Sequence, residues 1–180
     1  MEIVKYGDPV LRAKGKRVEA ITDEIRELAN AMVETMREAN GVGLAAQQVG
    51  HALQLAIVDV AGVEDRPSVM KIEGEPVKIE DWMPMVLLNP VLELGKQKEI
   101  GIEGCLSFPE IVADILRSAT LKATAQLIDG RQVEFEAEGF LARALQHEVD
   151  HLNGILFIDR MNSATKVSLS GKLKRLQRNR

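Results

Sequence analysis

The stretch QHEVDHLNG, residues 146–154, holds two of the three histidines in this 180-residue chain and sets Glu148 between them. His147 and His151 stand four apart, the HExxH spacing that puts two imidazoles on one helix face within reach of a single metal ion. The surrounding residues predict a helix over 140–153, closed by Asn153-Gly154. At about 100° per residue, Leu141, Leu145 and Leu152 project to one side, and Arg143, Gln146 and Asp150 point roughly opposite, toward water. His147 and His151 share a third sector with Phe140 and Ala144, and Glu148 falls between that sector and the apolar side.

The segments before this helix read as antiparallel strands. LKATAQLI (121–128) and QVEFEAE (132–138) flank Asp129-Gly130, a dipeptide that favours tight hairpin turns. Val133, Phe135 and Ala137 alternate with Glu134, Glu136 and Glu138, so one face is wet. LQLAIVDV (53–60) and MVLLNPVLEL (85–94) are further strand candidates, the second interrupted at Pro90 and therefore at an edge or a bulge. Residues 61–84 mix glycine, proline and charge with little periodicity, which predicts a long loop or a loop with a short excursion of strand.

Nearer the N-terminus, Ile25, Leu28, Ala29, Met32, Val33 and Met36 recur at helical spacing across 22–40. Thr22 and Asp23 start this helix and Gly41 can end it. The last fifteen residues, 166–180, are basic and weakly amphipathic: a solvated terminal helix or a docking element for an anionic surface. These elements predict an α+β fold, with antiparallel β-sheets packed around a central metal-binding helix and further helices at the N- and C-termini.

Composition narrows the classes. With 46% hydrophobic residues the chain can bury one core, so one domain over 1–180 is expected, with 166–180 as its basic tail. A net charge of −4 argues against a DNA-binding surface. No apolar run approaches the roughly 18–20 residues of a membrane span, and Glu2, Lys5 and Asp8 leave no room for a secretory apolar segment. Cys105 is the single cysteine, which excludes an internal disulfide. A cytoplasmic location is expected.

Two histidines do not make a metal site without a third ligand. An extended metzincin motif would need histidine at 157, where Phe157 stands. Thermolysin-like sites need a later carboxylate, and beyond His151 the only acidic residue is Asp159. Upstream, His51, Cys105 and many carboxylates remain. Cys105 lies in EGCLSFPE, beside Gly104 in a segment that reads as irregular, where its side chain could project toward a site. Cys105, His147 and His151 would leave one position open, as in a catalytic metal site.

GVGLAAQQVG (41–50), EGCLS (103–107) and QHEVDHLNG (146–154) resemble, in order, the three signature motifs of peptide deformylase. GVGLAA is not a dinucleotide-binding loop, because it follows a helix and precedes a strand. The resemblance implies an enzyme that removes the formyl group from the N-terminal formyl-methionine of nascent polypeptides, releasing formate. It implies one divalent metal, Fe(II) in the cell with Zn(II), Ni(II) or Co(II) accepted. Glu148 would act as proton shuttle, with the Gln48 side-chain amide and the Leu106 backbone N–H stabilising the oxyanion. Val42, Gly43, Leu44, Glu103, Gly104, Phe140 and Ala144 would bind substrate, and Glu103 would pair with Arg117 beneath the cysteine loop. Residues 61–84 run longer than in compact members. The basic tail would associate with the ribosome. The alternatives are an HExxH metallopeptidase and a noncatalytic metal-containing binding module.

Overall fold

The structure, a computed structural model, describes residues 1–178. In chain order it contains α1 (Asp23–Glu38), β1 (Gly43–Ala45), β2 (Leu55–Val58), β3 (Ser68–Ile72), β4 (Glu75–Pro76) and β5 (Met85–Leu94). β6 (Lys98–Cys105), β7 (Phe108–Ser118), β8 (Thr120–Leu127), β9 (Gln132–Gly139), α2 (Phe140–Leu152) and α3 (Ser163–Arg178) follow. Seven strands form an antiparallel sheet in the order β1-β2-β5-β8-β9-β3-β4, and β6 and β7 form a separate two-stranded sheet. The α+β arrangement around a central helix is the one expected.

α1 begins where Thr22 caps it, its hydroxyl oxygen accepting the Ile25 N–H, and Asp23 and Glu24 favour the positive end of the helix dipole. Its inner face buries Ala29, Met32 and Met36. The left-handed turn that stops it is taken by Asn40 (φ 53°), one residue before the expected Gly41, whose N–H instead closes onto the Met36 carbonyl. In the β8–β9 hairpin, Gly130 takes φ 94°, a backbone shape that suits glycine.

At Pro90 the structure takes the bulge, one of the two places expected for it: the β5–β8 register shifts between Leu88 and Val91. Asn89 (φ 51°) seats it by bonding both the Val18 N–H and C=O. In the stretch 61–84 the expected strand excursion is present and goes further: β3 and β4 form a hairpin, and β3 joins the main sheet by pairing with β9 from Ser68↔Gly139 to Lys71↔Glu136. Only Met70 of this strand is fully buried, so the alternation that would have announced it is absent.

α2 lies against the sheet with Leu141, Ala142 and Leu145 packed among Met70, Leu87 and Phe135. Its first N–H groups are satisfied by the incoming strand: Phe140 donates to the Pro67 carbonyl at 3.1 Å and Leu141 to Ser68 Oγ at 2.9 Å. The opposite side is not wet. Arg143, Gln146 and Asp150 are buried beneath β6 and β7, which the sequence had not shown as strands. The cause is an inverted pattern on β6, where Glu103 faces inward while Ile100 and Ile102 face water. α3 is largely exposed, and its Leu169, Leu173 and Leu176 pack against a cluster containing Phe108, Ile111 and Phe157. Of the basic tail, residues 166–178 belong to this helix, and Asn179 and Arg180 lie outside the described residues.

Candidate metal centre and its cavity

Two elements bring three donors together. α2 presents His147 and His151 with ring centroids 5.0 Å apart. β6 ends at Cys105, where the β6–β7 register shifts after Gly104, and its Sγ stands 3.3 Å from His151 Nε2. The ligand atoms of Cys105, His147 and His151 all lie within 4.8 Å of one another, a set able to hold a metal ion. His51 is exposed and outside this cluster. Phe157, at the position where a metzincin would carry its third histidine, packs edge-on against Phe108 at 5.1 Å and forms part of the apolar backing.

A buried charge network orients these donors. Glu103 Oε2 accepts from His147 Nδ1 at 2.9 Å, which leaves Nε2 of that ring for a metal. The same carboxylate takes a forked pair from Arg117 (2.7 and 3.0 Å) and a further bond from Arg143 (3.0 Å). Arg117 also donates to Asp150 on α2, and Arg160 closes the chain from the far side. Arg117 is therefore not a surface residue: its side chain is 4% exposed, and it joins the cysteine strand to the histidine helix. Burial would raise the Glu103 carboxyl, but the hydrogen bonds of His147 and Arg117, with their charges, hold it down at about 2. Burial pushes His151 well below the usual imidazole value, toward the neutral form a metal takes. For His147 burial acts the same way, but Cys105 and Glu103 outweigh it and raise the ring well above the usual imidazole value.

Glu148 differs from every other carboxylate here. Burial, reinforced by the nearby charge of Glu103, raises it to about 7, and its Oε2 has no hydrogen-bond partner among the described residues. Gly43 lies so close that a side chain there would enter the Glu148 carboxylate. Gln48 is 1% exposed, and its Oε1 accepts the Ala45 N–H at 2.9 Å. That bond turns the amide nitrogen toward Ser107 Oγ (3.3 Å) and Cys105 Sγ (3.5 Å).

A cavity of about 580 Å³ opens on this cluster. Of the residues expected to bind substrate, Val42, Gly43, Glu103, Gly104, Phe140 and Ala144 line it, as do Gln48, Leu106 and Glu148. The structure does not bring the Leu44 side chain there; it is fully buried in the core with Met32, Met36 and Ile57. Glu103 lines the cavity with its carboxylate already committed to His147 and two arginines. Lys5, Arg66 and Arg143 also line it and were not anticipated. Arg143 and Asp150 had been assigned to a solvated face by helical projection. A charged residue every few turns looks the same in sequence whether it meets water or a buried partner.

A family model described as polypeptide deformylase matches residues 1–167. A peptide deformylase of Methylacidiphilum infernorum is 44% identical over 178 residues, covering 99% of this chain and 93% of that protein. A crystal structure of peptide deformylase 1B from Arabidopsis thaliana, in complex with an inhibitor, superposes with a TM-score of 0.82 at 37% identity. It covers 98% of this chain and 90% of that one. The peptide deformylase of Thermotoga maritima gives a TM-score of 0.75 at 40% identity, covering 89% of this chain and 97% of the other.

Proposed function

The chain belongs to the polypeptide deformylase family, metallohydrolases that remove the N-formyl group from nascent peptides, and we propose that Cys105, His147 and His151 hold its one metal ion with Glu148 as proton carrier. The observation that carries this reading is the convergence of three donors within 4.8 Å beside a buried, unpartnered carboxylate. One thiolate and two imidazoles suit Fe(II), Zn(II), Co(II) or Ni(II). Fe(II) is the ion expected in the cell. Such an ion supplies Lewis acidity, lowering the pKa of a nearby water and polarising the formyl oxygen.

The chain's own residues do the remainder. Glu148, held near 7 by burial, takes a proton from the attacking water as the new C–O bond forms, and delivers it to the nitrogen as the C–N bond breaks. Formate and a free amino terminus leave. The Gln48 amide, aimed by its bond to Ala45, and the Leu106 backbone N–H donate to the oxyanion that develops between these steps. Val42, Gly43, Gly104, Phe140 and Ala144 form the walls that hold formyl-methionine. Glu103 serves by orienting His147 more than by touching substrate.

The test combines anaerobic purification, metal analysis and a formate assay on one sample. We expect one divalent ion per chain and formate from formyl-Met peptides. Stoichiometric metal retained in Cys105→Ala would remove the thiolate from the ligand set. For the basic helix α3 we propose ribosome docking; unchanged ribosome binding after deletion of residues 166–180 would end that assignment.

A further inference from the structure

Besides His147, one lysine and two arginines line the cavity among the described residues, and two of these three are already engaged. Lys5 Nζ donates to the Leu106 carbonyl oxygen at 3.1 Å. Arg143 divides its guanidinium among Glu103 and the carbonyls of Ile115 and Glu99. Arg66 is different: among the described residues no hydrogen bond or ion pair reaches its guanidinium, which lies 4.1 Å from the centre of the Phe140 ring. The acidic groups whose charge it feels are Asp65 and Glu103, and Glu103 already serves two other arginines. Its surroundings disfavour the cation, first through burial and then through the like charge of Arg143.

The position of this residue is built in. The next residue, Pro67, accepts the Phe140 N–H at 3.1 Å, and Ser68 both pairs with Gly139 and accepts the Leu141 N–H. Arg66 is thus one residue away from the bonds that tie β3 to the start of α2, the helix bearing His147 and Glu148. A guanidinium stacked by its face on an aromatic ring keeps N–H edges available to fork onto a carboxylate. Glu103, Glu110 and Glu148 also line the cavity, but none is within ion-pair distance of Arg66, and a half-buried cation with no ion pair of its own gains from an anion brought by the ligand.

We propose that Arg66 determines specificity, recognising a carboxylate side chain on one of the residues that follow formyl-methionine in the substrate. The inference rests on the deformylase reading of the site. It makes the enzyme faster on nascent chains with an early Asp or Glu than on matched neutral ones, through a contact remote from the reacting bond.

The test uses formyl-Met tetrapeptides carrying Glu, Gln or Lys singly at the second, third or fourth position, assayed for formate release with the metal-loaded, full-length protein. At one position at least, wild type should favour Glu over Gln by about 3- to 10-fold in kcat/KM, the scale of a partly exposed charge pair, with Lys poorest. Raised ionic strength should shrink that ratio. Arg66→Gln should abolish it and Arg66→Lys retain part of it. Because each ratio is taken within one sample, an inactive fraction cancels. The proposal is overturned if wild type shows no preference, if the preference survives in Arg66→Gln, or if that variant slows charged and neutral peptides equally. The last result would reduce Arg66 to a support for Phe140. Absence of formate from the neutral peptide with wild type would instead bring down the deformylase reading, and this inference with it.

Discussion

At the residue scale, the site depends on keeping one carboxylate idle while a neighbouring one is fully engaged. Glu148 and Glu103 both line the cavity, yet burial lifts the first to about 7 and hydrogen-bonded cations hold the second at about 2. Only the first has the proton affinity of a carrier at neutral pH. Glu148→Ala should lower formate release by about 10²- to 10⁴-fold with metal content unchanged, checked by parallel turnover and metal analysis. Gly43 belongs to the same mechanism, since a β-carbon at that position would displace the Glu148 carboxylate. In Gly43→Ala we expect turnover to fall by about 10²-fold, the cost of moving a reacting group by roughly 1 Å, while circular dichroism stays native. Native turnover in that variant would mean that Glu148 need not occupy its observed place.

At the scale of elements, the two-stranded sheet and α2 are joined through polar groups. Arg117 bridges Glu103 on β6 and Asp150 on α2, and Gln146 pairs through its amide with both backbone groups of Ser118. Arg117→Met would strip Glu103 of its forked partner and leave Asp150 with Arg160 alone, while His147 and Arg143 still reach Glu103. It should cost about 3 kcal/mol in denaturant unfolding, the lower end of the range for breaking a buried pair, because the remaining partners compensate in part. A second link joins the N-terminal turn to the segment after α2. Burial alone would raise Asp159, but the Arg12 guanidinium and the Leu156 N–H overrule it and leave its carboxyl below the usual value. A depressed folded pKa gives stability that is present above the unfolded value of about 3.9 and lost as pH falls through the folded one. The Tm gap between wild type and Asp159→Asn should therefore narrow as pH drops from about 6 to about 3. A gap independent of pH would assign the contact to packing.

At the scale of the whole molecule, the three proposed metal ligands come from β6 and α2, which belong to different parts of the chain and meet only in the folded state. An ion bound to Cys105, His147 and His151 should stabilise that state by mass action, by about 2.7 kcal/mol at a hundredfold excess over its Kd. Removing it with a chelator should lower Tm and abolish formate release, and restoring Fe(II), Ni(II) or Zn(II) should raise Tm again. An unchanged Tm would show that the folded chain holds the ion no better than the unfolded one. Among the described residues no helix is long and apolar enough to cross a membrane.

The chain's local patterns determined a good deal by themselves: α1, the β8–β9 hairpin at Asp129-Gly130 and the helix with His147 and His151. Each rests on spacing or turn chemistry confined to a few neighbouring residues. Tertiary structure alone decided the remainder. β3 has one fully buried residue, so its place beside β9 follows from pairing and leaves no periodic trace. β6 turns a glutamate inward and isoleucines outward because Arg117, Arg143 and His147 await that carboxylate, partners lying 14, 40 and 44 residues away. The same distance in sequence made Arg143 and Asp150 look solvated, and left Arg66 unremarked until Phe140 and the cavity stood beside it. A buried charge is favourable only in company, and its company is chosen by the fold.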